Sequence, residues 1–296
     1  MNINKYVYPA FTVISLLLVP QILKAQAVDT SQYRLENKIY KQTPEDTLTL
    51  DIYYPLNFDS GRLPTVVFFF GGGWVGGTRE HFAPYSKHLA SLGMIAINPD
   101  YRIYNKHKTS PQQAVMDARS AMRYIKQHAD ELGVDTSRLA TGGGSAGGHL
   151  AFSTASLSGF DEVGDDLSVS PMPDALLLYN PVVNTTSEGY GAAKVGGDTI
   201  RLSPYHRMMP GTPPVLIFHG EADTTVPIQN IYSLEKKLDT MLIPNIIQTY
   251  EGQGHGFFNL NREEGKYFRS TLSETVLFLQ SMGYLDKGVG AEGEYR

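Results

Sequence analysis

Short runs of β-branched, aromatic and aliphatic residues recur along most of this chain, separated by stretches with helical periodicity. Pro64 to Phe70 (Pro-Thr-Val-Val-Phe-Phe-Phe) is a continuous apolar run of the kind a strand shows when both its faces are covered. Met94 to Asn98, Asp174 to Tyr179 and Pro214 to Phe218 read as further buried strands, and Arg138 to Thr141 and Ile246 to Tyr250 as strands. Between them, residues 80–92, 111–131, His149 to Leu157, 228–241 and 265–283 carry helix-like patterns, with Pro111 placed for a first helical turn. Two alternating segments, 36–43 and 47–54, read as an opening antiparallel pair. Strand and helix repeating in this order can bury their apolar faces in few ways. The economical one is an α/β fold, a mostly parallel central sheet with helices on both faces.

Two regions break the rhythm. Residues 182–212 lie between strands without a periodic pattern and carry Gly, Ser, Tyr and Pro, which predicts a substrate-facing insert within a catalytic domain over 28–285. The tail 286–296 is Gly-rich and polar and is expected to be disordered. At the other end Lys5, the apolar stretch from Val7 to Leu23, and Ala25-Gln26-Ala27 match the charged, apolar and small-x-small parts of a signal peptide over 1–27. Pro9 and Pro20 interrupt that stretch, which falls short of the ~20 residues of a spanning helix. A retained membrane anchor is the rival reading. The expectation is export, to a secreted or periplasmic location, with no stable membrane insertion after cleavage.

Composition narrows the chemistry. The chain has no cysteine, so disulfides, thiolate metal sites and a Cys nucleophile are excluded. Its net charge of −5 and lack of a basic stripe argue against nucleic acid as a partner. No metal site and no cofactor is expected.

Gly143-Gly144-Ser145-Ala146-Gly147 fits G-x-S-x-G between a predicted strand and a predicted helix. That context suits a serine on a sharp, strained turn, its hydroxyl exposed and the following backbone N–H facing the reacting oxygen. A serine hydroxyl needs a base to become a nucleophile. Of the eight histidines only His255 lies beyond residue 219, in the Gly-rich loop Gly252-Gln253-Gly254-His255-Gly256-Phe257 after a predicted strand. The acid belongs after the strand at 214–218, where Glu221 and Asp223 compete. Asp223, at the turn into Val226-Pro227, is favoured as the residue that orients His255. His149 and His219 are expected to be structural.

Gly71-Gly72-Gly73-Trp74 directly follows the strand at 64–70, where amides can be aimed into an open cavity. A phosphate cradle is the alternative for such a loop, but neither the Lys-Ser/Thr of a P-loop nor a clean G-x-G-x-x-G is present.

These pieces, together with Asp100-Tyr101-Arg102, Asp223-Thr224-Thr225-Val226-Pro227 and Gly254-His255-Gly256-Phe257, resemble the hormone-sensitive-lipase-like esterases and the bacterial acetyl xylan and feruloyl esterases of the α/β-hydrolase superfamily, over residues 36–283. The resemblance implies an α/β-hydrolase fold and a Ser145–Asp223–His255 triad. It also implies oxyanion donors at the amides of Gly72, Gly73 and Ala146, with structural roles for Arg102 and Asp117. In those families a His usually precedes the glycines, and here the residue is Phe70, which can pack but not hydrogen-bond through its side chain.

The function expected is a serine carboxylic-ester hydrolase working through an acyl-enzyme. Its substrate would be a small-molecule or polysaccharide-linked ester carrying acetyl or feruloyl groups. Trp74, Tyr179, Tyr190 and Tyr205 are candidates to stack on sugar or aryl groups. Two alternatives stay open: a prolyl-oligopeptidase-like serine peptidase, which the Asp-x-x-Val-Pro and His-Gly-Phe segments also resemble, and a non-catalytic binding protein on a hydrolase scaffold. Oligomeric state is not legible in the sequence.

Overall fold

A computed structural model describes residues 32–288. The proposed signal segment 1–27 and all but the first three residues of the tail lie outside that range. The sheet has eight strands: β1 (Tyr33–Gln42), β2 (Thr47–Pro55), β3 (Leu63–Phe69), β4 (Ile95–Pro99), β5 (Val134–Gly144), β6 (Ala175–Tyr179), β7 (Val215–Gly220) and β8 (Asn245–Tyr250). Their spatial order is β1-β2-β4-β3-β5-β6-β7-β8. β1 pairs antiparallel with β2, and β2 antiparallel with β4, while every later neighbour pair is parallel.

Helices cover both faces, which is why β4, β6 and β7 are buried at every position and β3 at all but its first. In β3, Val67 and Phe69 enter one core, with α3 (Pro111–Gln127), α5 (Ala146–Ser156) and α7 (Ile228–Thr240). Val66 and Phe68 enter the other, with α1 (Ala83–Ser91) and α8 (Lys266–Ser281). This is the period of two of a pleated strand, applied to a sheet with no solvent face. α5 is buried from Ala146 to Ala155, so it carries small and apolar residues all round. α3 begins at Pro111 behind a capping box in which the Ser110 N–H donates to Gln113 Oε1 at 3.0 Å.

Several boundaries differ from the sequence reading. The helix expected over 111–131 ends at Gln127, and a short α4 (Ala129–Leu132) resumes beyond His128, which leaves helical geometry at ψ 21°. The strand expected over 138–141 runs from Val134 to Gly144. Gly142 to Gly144 look like loop residues locally, but Phe68 and Phe69 pair with them on one side and Leu177 to Tyr179 on the other. The first strand begins at Tyr33, three residues earlier than its alternation suggested.

The register aligns the strand ends: Gly144 lies opposite Tyr179, and Tyr179 opposite Phe218. The turns leaving β3, β5, β6, β7 and β8 therefore open at one edge of the sheet, where open α/β sheets place their ligand sites.

Candidate active site

Ser145 occupies the turn between β5 and α5 with φ 55° and ψ −119°, a conformation side-chain-bearing residues rarely adopt. Its N–H donates to Tyr179 O at 2.9 Å, and its carbonyl accepts from His149 N at 3.0 Å and Val182 N at 3.1 Å. The strained backbone is thus pinned from β6 and from α5. The glycines around it are required by close approach: a β-carbon on Gly147 would fall on the Phe69 carbonyl, so β3 could not pass beneath the turn.

Three residues far apart in sequence meet here. His255 Nε2 stands 2.8 Å from Ser145 Oγ, and His255 Nδ1 stands 2.7 Å from Asp223 Oδ2. The other carboxylate oxygen, Asp223 Oδ1, accepts from Thr225 N at 2.8 Å and Val226 N at 2.9 Å. Burial pushes the Asp223 carboxyl up, but the hydrogen bonds from His255 and the Val226 and Thr225 amides outweigh it and hold the group below its ordinary range. An ionised Asp223 selects the tautomer with the proton on Nδ1, leaving Nε2 to accept from the serine hydroxyl. Glu221, the competing acid, is exposed and accepts from the Thr249 hydroxyl at 2.7 Å instead.

The two histidines expected to be structural are buried. His219 Nε2 donates to Val226 O at 3.0 Å beside Asp223, and His149 Nε2 donates to Leu202 O at 2.7 Å. Burial lowers both, that of His149 to about 4. Arg102 and Asp117 form a two-pronged ion pair beside the turn of the β1–β2 hairpin, with Lys41 Nζ 2.6 Å from Asp117.

Gly71, Gly72 and Gly73 line a cleft of about 270 Å³ together with Ser145, His255 and Tyr190. Ala146, fully buried, is the first residue of α5, so its amide is among the unpaired donors at the positive end of that helix. Phe70 stacks on Tyr101 with ring centroids 4.0 Å apart, and the Tyr101 hydroxyl donates to Phe70 O at 2.8 Å. The imidazole that Phe70 lacks is supplied from elsewhere. His81, on a 3-10 turn at Arg79–Phe82, accepts the Gly71 N–H at Nδ1 (3.0 Å) and donates from Nε2 to Asn259 Oδ1 (2.7 Å). Nothing in the sequence around His81 marks it, since its role depends on the fold placing it under the loop. Asn180 was missed for the same reason: its Oδ1 accepts the Gly256 N–H at 2.9 Å and so fixes the loop that carries His255.

The aromatic candidates divide. Tyr190 lines the cleft. Tyr179 does not: it is 0% exposed, lies in the α1/α8 core, and hydrogen-bonds to Thr275 at 2.7 Å. Trp74 is 2% exposed and packed edge-on against His149, so it cannot stack on a ligand either. Tyr205 is not among the residues that line the cleft. Among the described residues no group of three or more His, Asp or Glu side chains is disposed to hold a metal ion, and no helix is long and apolar enough to cross a membrane.

An eight-stranded sheet with a serine on the β5–α5 turn, and with histidine and carboxylate delivered from the turns after β8 and β7, defines an α/β-hydrolase. Comparison with known proteins agrees. The BD-FAE family model matches residues 50–176 and that of the dienelactone hydrolase family residues 178–281. Esterase 2 of Thermogutta terrifontis, solved after phosphorylation by paraoxon, is 36% identical, with a TM-score of 0.81 over 85% of this chain and 95% of that one. Esterase LipC of Mycobacterium tuberculosis is 27% identical over 79% of this chain and 62% of its own length. Carboxylesterase NlhH of the same species is 32% identical over 50% and 44% respectively. The chain thus spans between two-fifths and two-thirds of the length of these two curated relatives. It belongs to the α/β-hydrolase serine esterases of the hormone-sensitive-lipase-like type.

Proposed function

We propose that this protein is a carboxylic-ester hydrolase of the secreted or periplasmic compartment that removes acetyl or feruloyl groups from carbohydrate esters, with Ser145 as nucleophile. One observation carries the catalytic part: the unbroken hydrogen-bond line Asp223–His255–Ser145 opening into a cleft walled by three consecutive glycines.

The steps follow from that line. Ser145 Oγ attacks the ester carbonyl carbon while its proton passes to His255 Nε2, and Asp223 stabilises the imidazolium. The carbonyl oxygen becomes an oxyanion facing the amides of Gly72, Gly73 and Ala146. When it collapses, the C–O bond to the alcohol breaks and the alcohol leaves with the proton from His255. Water then enters, gives its proton to His255, and releases the acid from Ser145 by the same route in reverse.

The BD-FAE and dienelactone hydrolase matches support ester hydrolysis, and the signal-peptide reading of 1–27 and the open cleft favour a small acyl group on a bulky alcohol. Structures of the Thermogutta esterase with propionate and with butyrate favour short acyl chains for that protein. The test is a panel of acetylated xylan, methyl ferulate, p-nitrophenyl esters of increasing acyl length and Ala-Pro anilides. Turnover of the short and carbohydrate-linked esters is expected, with a loss of at least ~10³ in Ser145→Ala. Cleavage of the anilides in preference to the esters would make the protein a peptidase. Release of none of the acyl groups would remove the hydrolase reading.

A further inference from the structure

The aperiodic insert contributes Tyr190 to the lining of the cleft, and Trp74 is the seat of that residue. Tyr190 N–H donates to Asn184 O at 2.9 Å and Lys194 N–H to Gly191 O at 2.8 Å, so the turn is braced by its own backbone. Gly191 lies flat on the indole: a β-carbon there would meet the Trp74 ring at 2.6 Å. The rings of Trp74 and Tyr190 are 5.8 Å apart. The tryptophan that directly follows the glycine loop thus holds the tyrosine that faces it.

The Tyr190 hydroxyl and Lys194 Nζ both press on Gly73, at 2.7 and 2.9 Å from where its β-carbon would stand. Lys194 Nζ is 2.7 Å from the Tyr190 hydroxyl and 3.4 Å from Gly73 O. An ammonium donates three protons and accepts none. In this contact the phenolic oxygen must therefore accept, and its own proton must point elsewhere. Among the described residues the hydroxyl has no other hydrogen-bond partner. Tyr190 lines the same cleft as Ser145 and Gly73.

We propose that Tyr190 donates this proton to the carbonyl oxygen of the bound ester, as a further donor beside the backbone amides, and that Lys194 is a positioning residue that fixes its direction. The inference rests on the esterase reading of the same cleft. A hydroxyl polarised by a neighbouring cation binds a developing oxyanion more strongly than a neutral carbonyl, so its effect falls on the transition state. The glycine at 73 acquires a second purpose here, since any side chain would evict both partners.

The test compares wild type with Tyr190→Phe, Lys194→Met and the double variant, each checked for an unchanged thermal midpoint. Two reactions are followed: steady-state hydrolysis of p-nitrophenyl acetate, and the single stoichiometric release of p-nitrophenol when paraoxon phosphorylates Ser145. Tyr190→Phe is expected to lower kcat about 10- to 100-fold with little change in KM, and to slow phosphorylation similarly. Lys194→Met should lower both by a smaller factor. The double variant should be no worse than Tyr190→Phe, because Lys194 acts only through the tyrosine. An effect of Tyr190→Phe confined to KM, or rates within about twofold of wild type, would overturn the donor role. Fully additive losses would overturn the role given to Lys194. A wild type that reacts with paraoxon but hydrolyses no ester would sink the esterase reading alone, since the phosphorylation rates would still decide for or against Tyr190. A folded wild type inert to paraoxon would sink both.

Discussion

His81 Nδ1 accepts the Gly71 N–H at 3.0 Å, which ties the glycine loop to a residue ten positions further along the chain. The loop is thereby held from its far side, and Asn259 fixes the imidazole in turn. Burial pushes the His81 imidazole down, which keeps it in the neutral form that can accept. His81→Leu would leave the Gly71 donor without a partner. A loss of about 1–3 kcal/mol in stability is expected, with a fall in kcat as the loop loosens. His81→Asn, which can present an oxygen where Nδ1 stood, should retain more of both. Denaturant midpoints and kinetics on p-nitrophenyl acetate measure the difference, and equal losses in the two variants would contradict the acceptor role.

The choice between the two acids can be made in solution. Asp223→Asn removes the charge that orients His255, and should lower kcat by about 10⁴. Glu221→Gln should leave kcat near wild type, because Glu221 meets Thr249 on the exposed side of the turn. The reverse result would reassign the acid.

Stability should rise with pH between about 4 and 6.5. Burial lowers His149 to about 4, and His81 and His219 are also lowered from 6.5. In that window the unfolded chain binds protons at these histidines that the folded chain refuses, so acidification favours unfolding. Asp223 adds a loss of the same sign at lower pH, because its folded carboxyl is held below the ordinary 3.8 and its contribution disappears as pH falls through that depressed value. Urea midpoints at pH 4.5, 5.5, 6.5 and 7.5 should climb and then level off. A midpoint highest at pH 4.5 would show that these histidines are not held neutral.

Asp117 is 0% exposed and is shared by Arg102 and Lys41, with Glu162 closing the cluster at 2.8 Å from Lys41. Asp117→Asn would remove the buried charge that Arg102 and Lys41 share while Glu162 and Glu45 still face those cations, at a cost of about 1–3 kcal/mol. The catalytic line should be untouched, so kcat at a temperature where the variant remains folded should match wild type. Chemical denaturation and a rate measurement on the same sample separate the two effects.

Two substrate-contact candidates were lost for one physical reason. From sequence an aromatic after a strand can face a ligand or the core with equal ease. Tyr179 ends β6 on the phase that points to α1 and α8, and Trp74, at φ 59°, turns inward beneath the insert. Both side chains are decided by what packs on them, which no local pattern states. The glycines 142–144 were misplaced for a related reason. Their lack of side chains suggests a turn when read along the chain, yet it is what admits Leu177 and Phe69 on either side.

What the residues determine unaided is the part governed by short-range rules. Apolar runs at strand length, helical periodicity between them, a serine flanked by glycines at a strand–helix junction, and one histidine late enough in the chain all act locally or through chain order. They were enough for the sheet and to single out Ser145, His255 and, by preference, Asp223, three side chains that the structure brings within hydrogen-bonding distance. Only the tertiary structure decided how those groups are held. His81 replaces the imidazole that Phe70 cannot supply, Asn180 anchors the His255 loop, and Trp74 serves as a seat for Tyr190. The last two join segments remote in sequence, and the first, though only ten residues apart, spans a turn whose path the fold sets. Hydrogen bonds and packing at a few ångströms depend on where the whole sheet carries its loops, and no pattern along the chain encodes that distance.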